Sequence, residues 1–487
     1  MEEEPKREVT PESEACPKSP KPKKETPTRP LLSYFPKWNR TQIIAITLTT
    51  ISLASIFSVG RWHLLMLPLQ EDNVIWSNTC GGLGHESVDS FIQLNDGGFA
   101  LCGSTSSWGL GGHYLGPGGG TDMWLARLDE NAALLWNHTY GTTLDDSARK
   151  VVECMDGGFA LLGISYVNRS GDYDPNGLLV RTDENGDQLW NVTFGGVEWE
   201  WPTSLIQCNS GGFAFAGCNL GFSADHTDLW LIRTDSIGNI LWNQTYEWDK
   251  TQAGASLIET ESGFLLFTLG NWGSISIDTT YNDAYLLCTD VNGNMLWNRT
   301  YDSGGHDYGF KIIPERAGGY FLACHTGPTQ RPWNLWLIRI NENGDILWEN
   351  IVGFNGGMVG DIIKCFDDGF AVIGTFCPGQ YWIHTDLFLA RTDTQGHVLW
   401  QKYYGFEEVP DVGCGVFQLN DSSFLIASDT YVSLNPENGE AWLLCVKDTP
   451  ITYYTITQFF FYGAIICIIT FIIISVIILA QKRWLKT

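Results

Sequence analysis

Apolar residues come in short bursts along this chain rather than in helical stripes. Between residues 74 and 448 the bursts are rich in β-branched and aromatic side chains and are bounded by Gly, Asp and Asn. That is the pattern of short strands joined by turns. No segment in this stretch combines a 3.6-residue period with capping signals. The bursts also repeat. A Trp follows an aliphatic residue at Trp76, Trp136, Trp190, Trp242, Trp297, Trp348 and Trp400, with spacings of 60, 54, 52, 55, 51 and 52. A second landmark is Gly-Gly-Phe at 97–99, 157–159 and 211–213, with close variants ending at Phe264, Tyr320, Phe370 and Phe424. A third is the Asp-x-Trp-Leu-x-Arg type of segment, as at 122–127, 228–233, 334–339 and 386–391.

Each unit reads as four strands: one around the Trp, one after the next loop, one beginning at Gly-Phe, and the Asp-x-Trp-Leu segment. Seven such units predict an all-β, seven-bladed β-propeller of four-stranded blades over 74–448. Asp-Gly-Gly between the second and third strands reads as a hairpin turn. Asp-x-x-Gly between the fourth strand and the next Trp strand, as in Asp183–Gly186 and Asp235–Gly238, reads as an Asx turn with Gly in the left-handed position. The same acidic turns lack the distant bidentate Glu of an EF-hand, so no metal site is assigned.

The repeat resembles the secreted bacterial and archaeal β-propeller repeats with Gly-Gly, DGG-aromatic and DxWLxRxD motifs. Its DxxGxxLW turn is similar to the tryptophan-docking motif of quinoprotein-type propellers, one residue shorter. The likeness runs from Trp76 to Asp448. It implies fold and blade-on-blade packing by the Trp, and no particular activity. No quinone or calcium ligand set accompanies it, and no cofactor is expected.

Two uncharged segments flank the repeats. One is 43–60, within a span placed at 41–61; the other is 451–480. A bilayer core takes about 20 apolar residues of helix, so each is expected to be a transmembrane helix. Residues 1–40, rich in Pro, Lys, Glu, Ser and Thr, read as a disordered tail with nine Lys and Arg; 481–487 hold three more basic residues and no acid. Basic flanks remain cytoplasmic. Both tails are therefore expected inside, with a linker over 62–73 and the propeller outside, in the cell membrane. A competing reading makes the first span a signal peptide cleaved near Ser58-Val59-Gly60.

Charge sharpens this topology. Of 487 residues, 29 are Lys or Arg and 55 Asp or Glu, a formal net charge of -26. Nearly all the acid lies between the two spans. Such a balance excludes nucleic acid, which is bound through cations.

Antiparallel strands assign the loops to two faces. The tight turns share one, with both chain ends of the repeat region, and this face is expected over the membrane. The long, variable loops share the other. Seven Trp outside the repeat positions fall in these long loops: Trp108, Trp199, Trp201, Trp248, Trp272, Trp333 and Trp382, with acids including Asp249 and Asp307. Aromatics with hydrogen-bonding acids suit carbohydrate, peptide or protein. A recognition module on this face is the expected function. The plainer reading of each Trp is packing of its own loop.

Alternatives are a tethered hydrolase using a carboxylate pair such as Glu198/Glu200 or Asp145/Asp146, and an envelope or assembly scaffold. No catalytic residue is assigned. Six His, among them His85, His306 and His325, are placed on long loops, without metal-ligand spacing. The Cys read mainly as packed thiols, with one or two disulfides left open. Asn-x-Ser/Thr occurs at Asn137, Asn168, Asn191, Asn243, Asn298 and Asn420. Four of these share one repeat position, which reads either as strand alternation or as glycan acceptors.

Overall fold

The structure is a computed structural model. It describes residues 73–448, apart from 83, 108–119, 170–171, 197–198, 221–227, 248–251, 271–282, 328–333, 355–356, 377–384, 406–409 and 431–439. Both expected membrane spans and both tails lie outside the described residues, among which no helix is long and apolar enough to cross a membrane.

The predicted ring of blades is present: seven antiparallel four-stranded sheets. Blade one holds β2 (Ser90–Gln93), β3 (Phe99–Thr105), β4 (Asp122–Leu128) and β5 (Leu134–Tyr140). Blade two holds β6 (Asp146–Glu153), β7 (Phe159–Arg169), β8 (Asp172–Thr182) and β9 (Gln188–Phe194). Blade three runs through β10 (Trp199–Gln207), β11 (Phe213–Leu220), β12 (Asp228–Thr234) and β13 (Ile240–Tyr246). Blade four runs through β14 (Gln252–Glu259), β15 (Gly263–Gly270), β16 (Ala284–Asp290) and β17 (Met295–Tyr301). Blade five comprises β18 (His306–Pro314), β19 (Tyr320–Gly327), β20 (Asn334–Ile340) and β21 (Ile346–Gly353). Blade six comprises β22 (Gly357–Lys364), β23 (Phe370–Phe376), β24 (Asp386–Thr392) and β25 (Val398–Tyr404). Blade seven is β26 (Asp411–Gln418), β27 (Ser423–Thr430) and β28 (Glu440–Lys447), completed by β1 (Val74–Cys80).

The blades are out of phase with the sequence units by one strand. Each Trp strand is the outermost strand of the preceding blade. The first Trp strand therefore has no blade of its own, and β1 pairs with β28 to close the ring. Closure by the chain's own first strand ties the ends of the repeat region together and leaves no unpaired blade edge across the join.

The core lies between blades rather than within them. Seven buried apolar clusters each draw on two neighbouring blades; one joins Phe91, Leu101 and Trp124 of blade one to Leu425, Leu443 and Cys445 of blade seven. This explains the repeat landmarks. Trp136 meets the Phe159 ring edge-on at 5.8 Å, Trp190 meets Phe213 at 6.0 Å and Trp242 meets Phe264 at 5.9 Å, each Phe belonging to the next blade. The same indoles close over the turn glycines of the next blade: Trp136 over Gly186, Trp190 over Gly238, Trp242 over Gly293 and Trp297 over Gly344. A Cβ on Gly238 would lie 2.8 Å from Trp190, and its φ of +85° already favours glycine. The Tyr that ends the strand adds a hydrogen bond across the same seam, Tyr140 donating to the Gly186 carbonyl at 2.6 Å and Tyr301 to the Gly344 carbonyl at 2.8 Å.

The Arg of the Asp-x-Trp-Leu-x-Arg segment serves the turns. Arg181, buried, donates to the Phe159 carbonyl at 3.2 Å and to the Thr182 carbonyl, and pairs with Asp156 of the Asp-Gly-Gly turn. Arg127 and Arg391 repeat the clamp on Asp96 and Asp367. In the other turn family Asp183 accepts from the backbone N–H groups of Asn185 and Asp187, both at 2.9 Å, as an Asx turn requires. All three landmarks thus converge on one face, that of the tight turns. Blade seven has no such turn for the Trp of β25 to cover, since its outer strand is β1, and Trp400 Nε1 donates instead to Asp448 at 3.1 Å.

Candidate functional site

The innermost strands β2, β6, β10, β14, β18, β22 and β26 pack in sequence around the centre of the ring. Six of them carry a β-bulge close to the end that leads into the long-loop face, at Arg149, Thr203, Ala253, Phe310, Gly360 and Cys414. A bulge increases twist and re-aims side chains. At this level every blade-to-blade step carries a contact from a polar side chain. Asp429 accepts from the Val88 N–H at 2.5 Å, and Arg149 pairs with Asp89 at 2.7 Å and lies 5.1 Å over the Trp201 ring. Ser204 accepts from the Leu257 N–H at 3.1 Å and Ser256 from the Ile312 N–H at 3.2 Å. Lys311 pairs with Asp361 at 2.5 Å, whose second oxygen lies 3.4 Å from the Val416 N–H.

A second set of acids braces the loops that enter these strands. Asp146 accepts from the Thr142 N–H at 2.6 Å and Asp307 from the Ser303 N–H at 2.7 Å. Glu86 and Glu200 do the same for Gly82 and Gly196, each at 2.8 Å. In each case the acceptor stands four residues after the donor, so one carboxylate fixes one loop. Burial pushes the carboxyls of Asp146, Asp307 and Asp429 above their usual range, the loop hydrogen bonds only partly opposing it.

Several predicted positions move from loop to strand. Trp199 and Trp201 stand on β10, paired with Leu220 and Cys218, rather than in a loop. The Trp201 ring is half-buried against Arg149. Asp307 stands on β18 and is fully buried, its carboxylate occupied by Ser303 rather than offered to a ligand. His306 and His325 are likewise strand residues. His325 is buried on β19, with Nε2 2.9 Å from the Val359 carbonyl and its ring stacked 4.7 Å from Phe310. The loop reading failed here because polar and aromatic residues continue into the inner strands, whose bulges break the alternation that marks a strand. Trp108, Trp248, Trp272, Trp333, Trp382 and Asp249 lie outside the described residues.

Three of the four carboxylates offered for hydrolysis are engaged elsewhere. Asp145 accepts from the Thr121 N–H at 2.9 Å, while Asp146 and Glu200 hold loop backbone; Glu198 is outside the described residues. Among the described residues no group of three or more His, Cys, Asp or Glu is placed to hold a metal ion. The ten described Cys are free thiols, nine of them buried. Burial raises Cys154, Cys208 and Cys365, which share one repeat position, to about 12, so they behave as small core residues.

No protein-family model matches the sequence, and comparison with curated proteins gives no match. Solved structures do resemble it in fold. A polysaccharide lyase, an ulvan lyase bound to a GlcA–Rha3S fragment, aligns at 11% identity over 74% of this chain and 97% of its own, with a TM-score of 0.44. BBS1N in complex with ARL6DN aligns at 9% identity over 77% and 97%, with a TM-score of 0.42. A protein of unknown function from Dyadobacter fermentans aligns at 11% identity over 77% and 99%, with a TM-score of 0.40. The protein is a seven-bladed β-propeller of four-stranded blades.

Proposed function

We propose that this chain is a membrane-anchored recognition propeller that presents its long-loop face, outside the cell, to a carbohydrate, peptide or protein. One observation carries the reading: the two faces are built differently. On one, Arg clamps, Asx turns and docked indoles fix most of the short connections, and the chain enters at Asn73 and leaves at Asp448. The remaining connections are long in sequence and contain Trp108, Trp248, Trp272, Trp333 and Trp382. The uncharged segment 451–480 begins three residues after Asp448. Recognition is favoured over hydrolysis because Asp145, Asp146, Asp307, Glu86 and Glu200 are committed to loop backbone.

A glycan array and a protein-partner screen on the full-length protein in lipid nanodiscs test this. Binding that weakens at least tenfold in Trp272→Ala or Trp333→Ala, with an unchanged melt, supports the reading. Turnover of a glycan, lost in Glu198→Gln, overturns it in favour of hydrolysis.

A further inference from the structure

Four of the seven outermost strands carry Asn-x-Thr directly after the docking Trp: Asn137-His138-Thr139, Asn191-Val192-Thr193, Asn243-Gln244-Thr245 and Asn298-Arg299-Thr300. These strands are β5, β9, β13 and β17, so the four sites sit on consecutive blades, one to four. The Trp turns inward against the next blade. By strand alternation Asn and Thr then share the opposite, outward side. Asn191, Asn243, Thr193, Thr245 and Thr300 are exposed, and Asn137, Thr139 and Asn298 half-buried. No hydrogen bond holds the side-chain amides of Asn137, Asn191 or Asn243 among the described residues, and Asn298 Nδ2 makes only a 3.3 Å approach to Met295 Sδ.

The pair is not imposed by packing. Blades five, six and seven keep the Trp but place Glu349 and Ile351, Gln401 and Tyr403, and Ser77 and Thr79 at the same two positions, all on strands of the same register. The lateral wall of the propeller therefore has two sectors. One offers four acceptor amides in a row; the other offers none.

We propose that Asn137, Asn191, Asn243 and Asn298 are N-glycosylated, forming a glycan belt on the outer wall of blades one to four and leaving blades five to seven bare. In this reaction the Asn amide nitrogen attacks the anomeric carbon of a lipid-phosphate-linked oligosaccharide. The C1–N bond forms, the C1–O bond to phosphate breaks, the amide proton is lost to a base of the transferase, and the lipid phosphate leaves. The belt stands on the side wall, so it blocks neither the long-loop face nor the turn face. It also shelters apolar groups that the fold leaves in water. Leu135, Leu189, Leu241 and Leu296 stand two residues before the four Asn, each at the bulge of its strand and each more than half exposed. The proposal rests on the propeller lying outside the cell.

The experiment uses the full-length protein from its own membranes, cleaved with an amidase that converts glycan-bearing Asn to Asp in 18O water and then mapped by mass spectrometry. Labelled Asp at all four positions is expected. Asn→Gln at each should remove one gel-mobility step without shifting the melt. The double change Gln401→Asn with Tyr403→Thr, which copies the motif onto blade six, should add one step. A parallel treatment of intact cells with a membrane-impermeant amine reagent reads the position of Lys402. Labelled Lys402 with unmodified Asn at all four positions overturns the belt while leaving the outside location standing. Lys402 protected in intact cells, reactive after lysis, and no glycan overturns both.

Discussion

His325 offers a quantitative test of the packing at the centre of the ring. Its ring is enclosed between β19 and β22, stacked on Phe310 and hydrogen-bonded to the Val359 carbonyl. Burial lowers its pKa to about 4, against the partial opposition of that hydrogen bond. In the unfolded chain an imidazole titrates near 6.5. As pH falls below about 6.5 the unfolded state takes up a proton that the native state refuses until about 4. The unfolded state binds more protons in this window, so stability is complete above it and is lost progressively on acidification. The loss is about 2 kcal/mol at pH 5 and approaches about 3 kcal/mol near pH 4. Raised carboxyls such as Asp146 and Asp307 act in the opposite sense, losing stability as pH rises through their native values. Comparison with His325→Gln cancels them, since both proteins share them. Urea unfolding of the full-length protein in detergent at pH 7.5 and pH 5 measures the difference. The stability gap between wild type and variant should shrink by about 2 kcal/mol at the lower pH. Parallel pH dependences for the two proteins would refute the reasoning.

The seams between blades give further tests by thermal or urea unfolding. Gly238→Ala places a Cβ against Trp190 and Val192 at a positive φ, and should cost about 2–4 kcal/mol; a neutral result would mean the seam yields freely. Tyr140→Phe removes the bond to the Gly186 carbonyl and should cost about 1 kcal/mol. Tyr404→Phe should be neutral or slightly stabilising, since that hydroxyl is buried without a partner among the described residues; an equal cost for both would contradict the assignment. Arg181→Met strips the Phe159 and Thr182 carbonyls and the Asp156 carboxylate of their donor and should cost about 2–3 kcal/mol.

Much of the architecture was legible because the landmark residues report contacts that recur. Trp136, Phe159 and Gly186 look unrelated along the chain, yet they meet at one seam, and the same seam repeats. Any residue whose role is fixed by a repeated contact reappears at a repeated spacing, so seven blades and their tight turns could be counted from Trp and Gly alone. Residues whose roles differ from blade to blade carry no such signal. Asp307 and Glu200 brace loops from different sequence contexts, and Arg149 is paired through Asp89 and Trp201, one on each neighbouring blade. Trp201 looked like a loop residue because the bulge beside it at Thr203 breaks the strand period.

The sequence by itself determined the number of blades, the strand content, the turn chemistry and the two uncharged segments beside the repeats, because local backbone preference and periodic burial are written residue by residue. Only the tertiary structure decided the phase of the blades. The Trp strand belongs to the blade before it, and β1 must return to β28, since a strand's partner is chosen by ring closure and not by its neighbours in the chain. The tertiary structure likewise decided that the seven aliphatic residues just before the docking Trp, Ile75 and Leu135 among them, stay in water. A bulge at that position turns each one away from the core that its own hydrophobicity would have favoured.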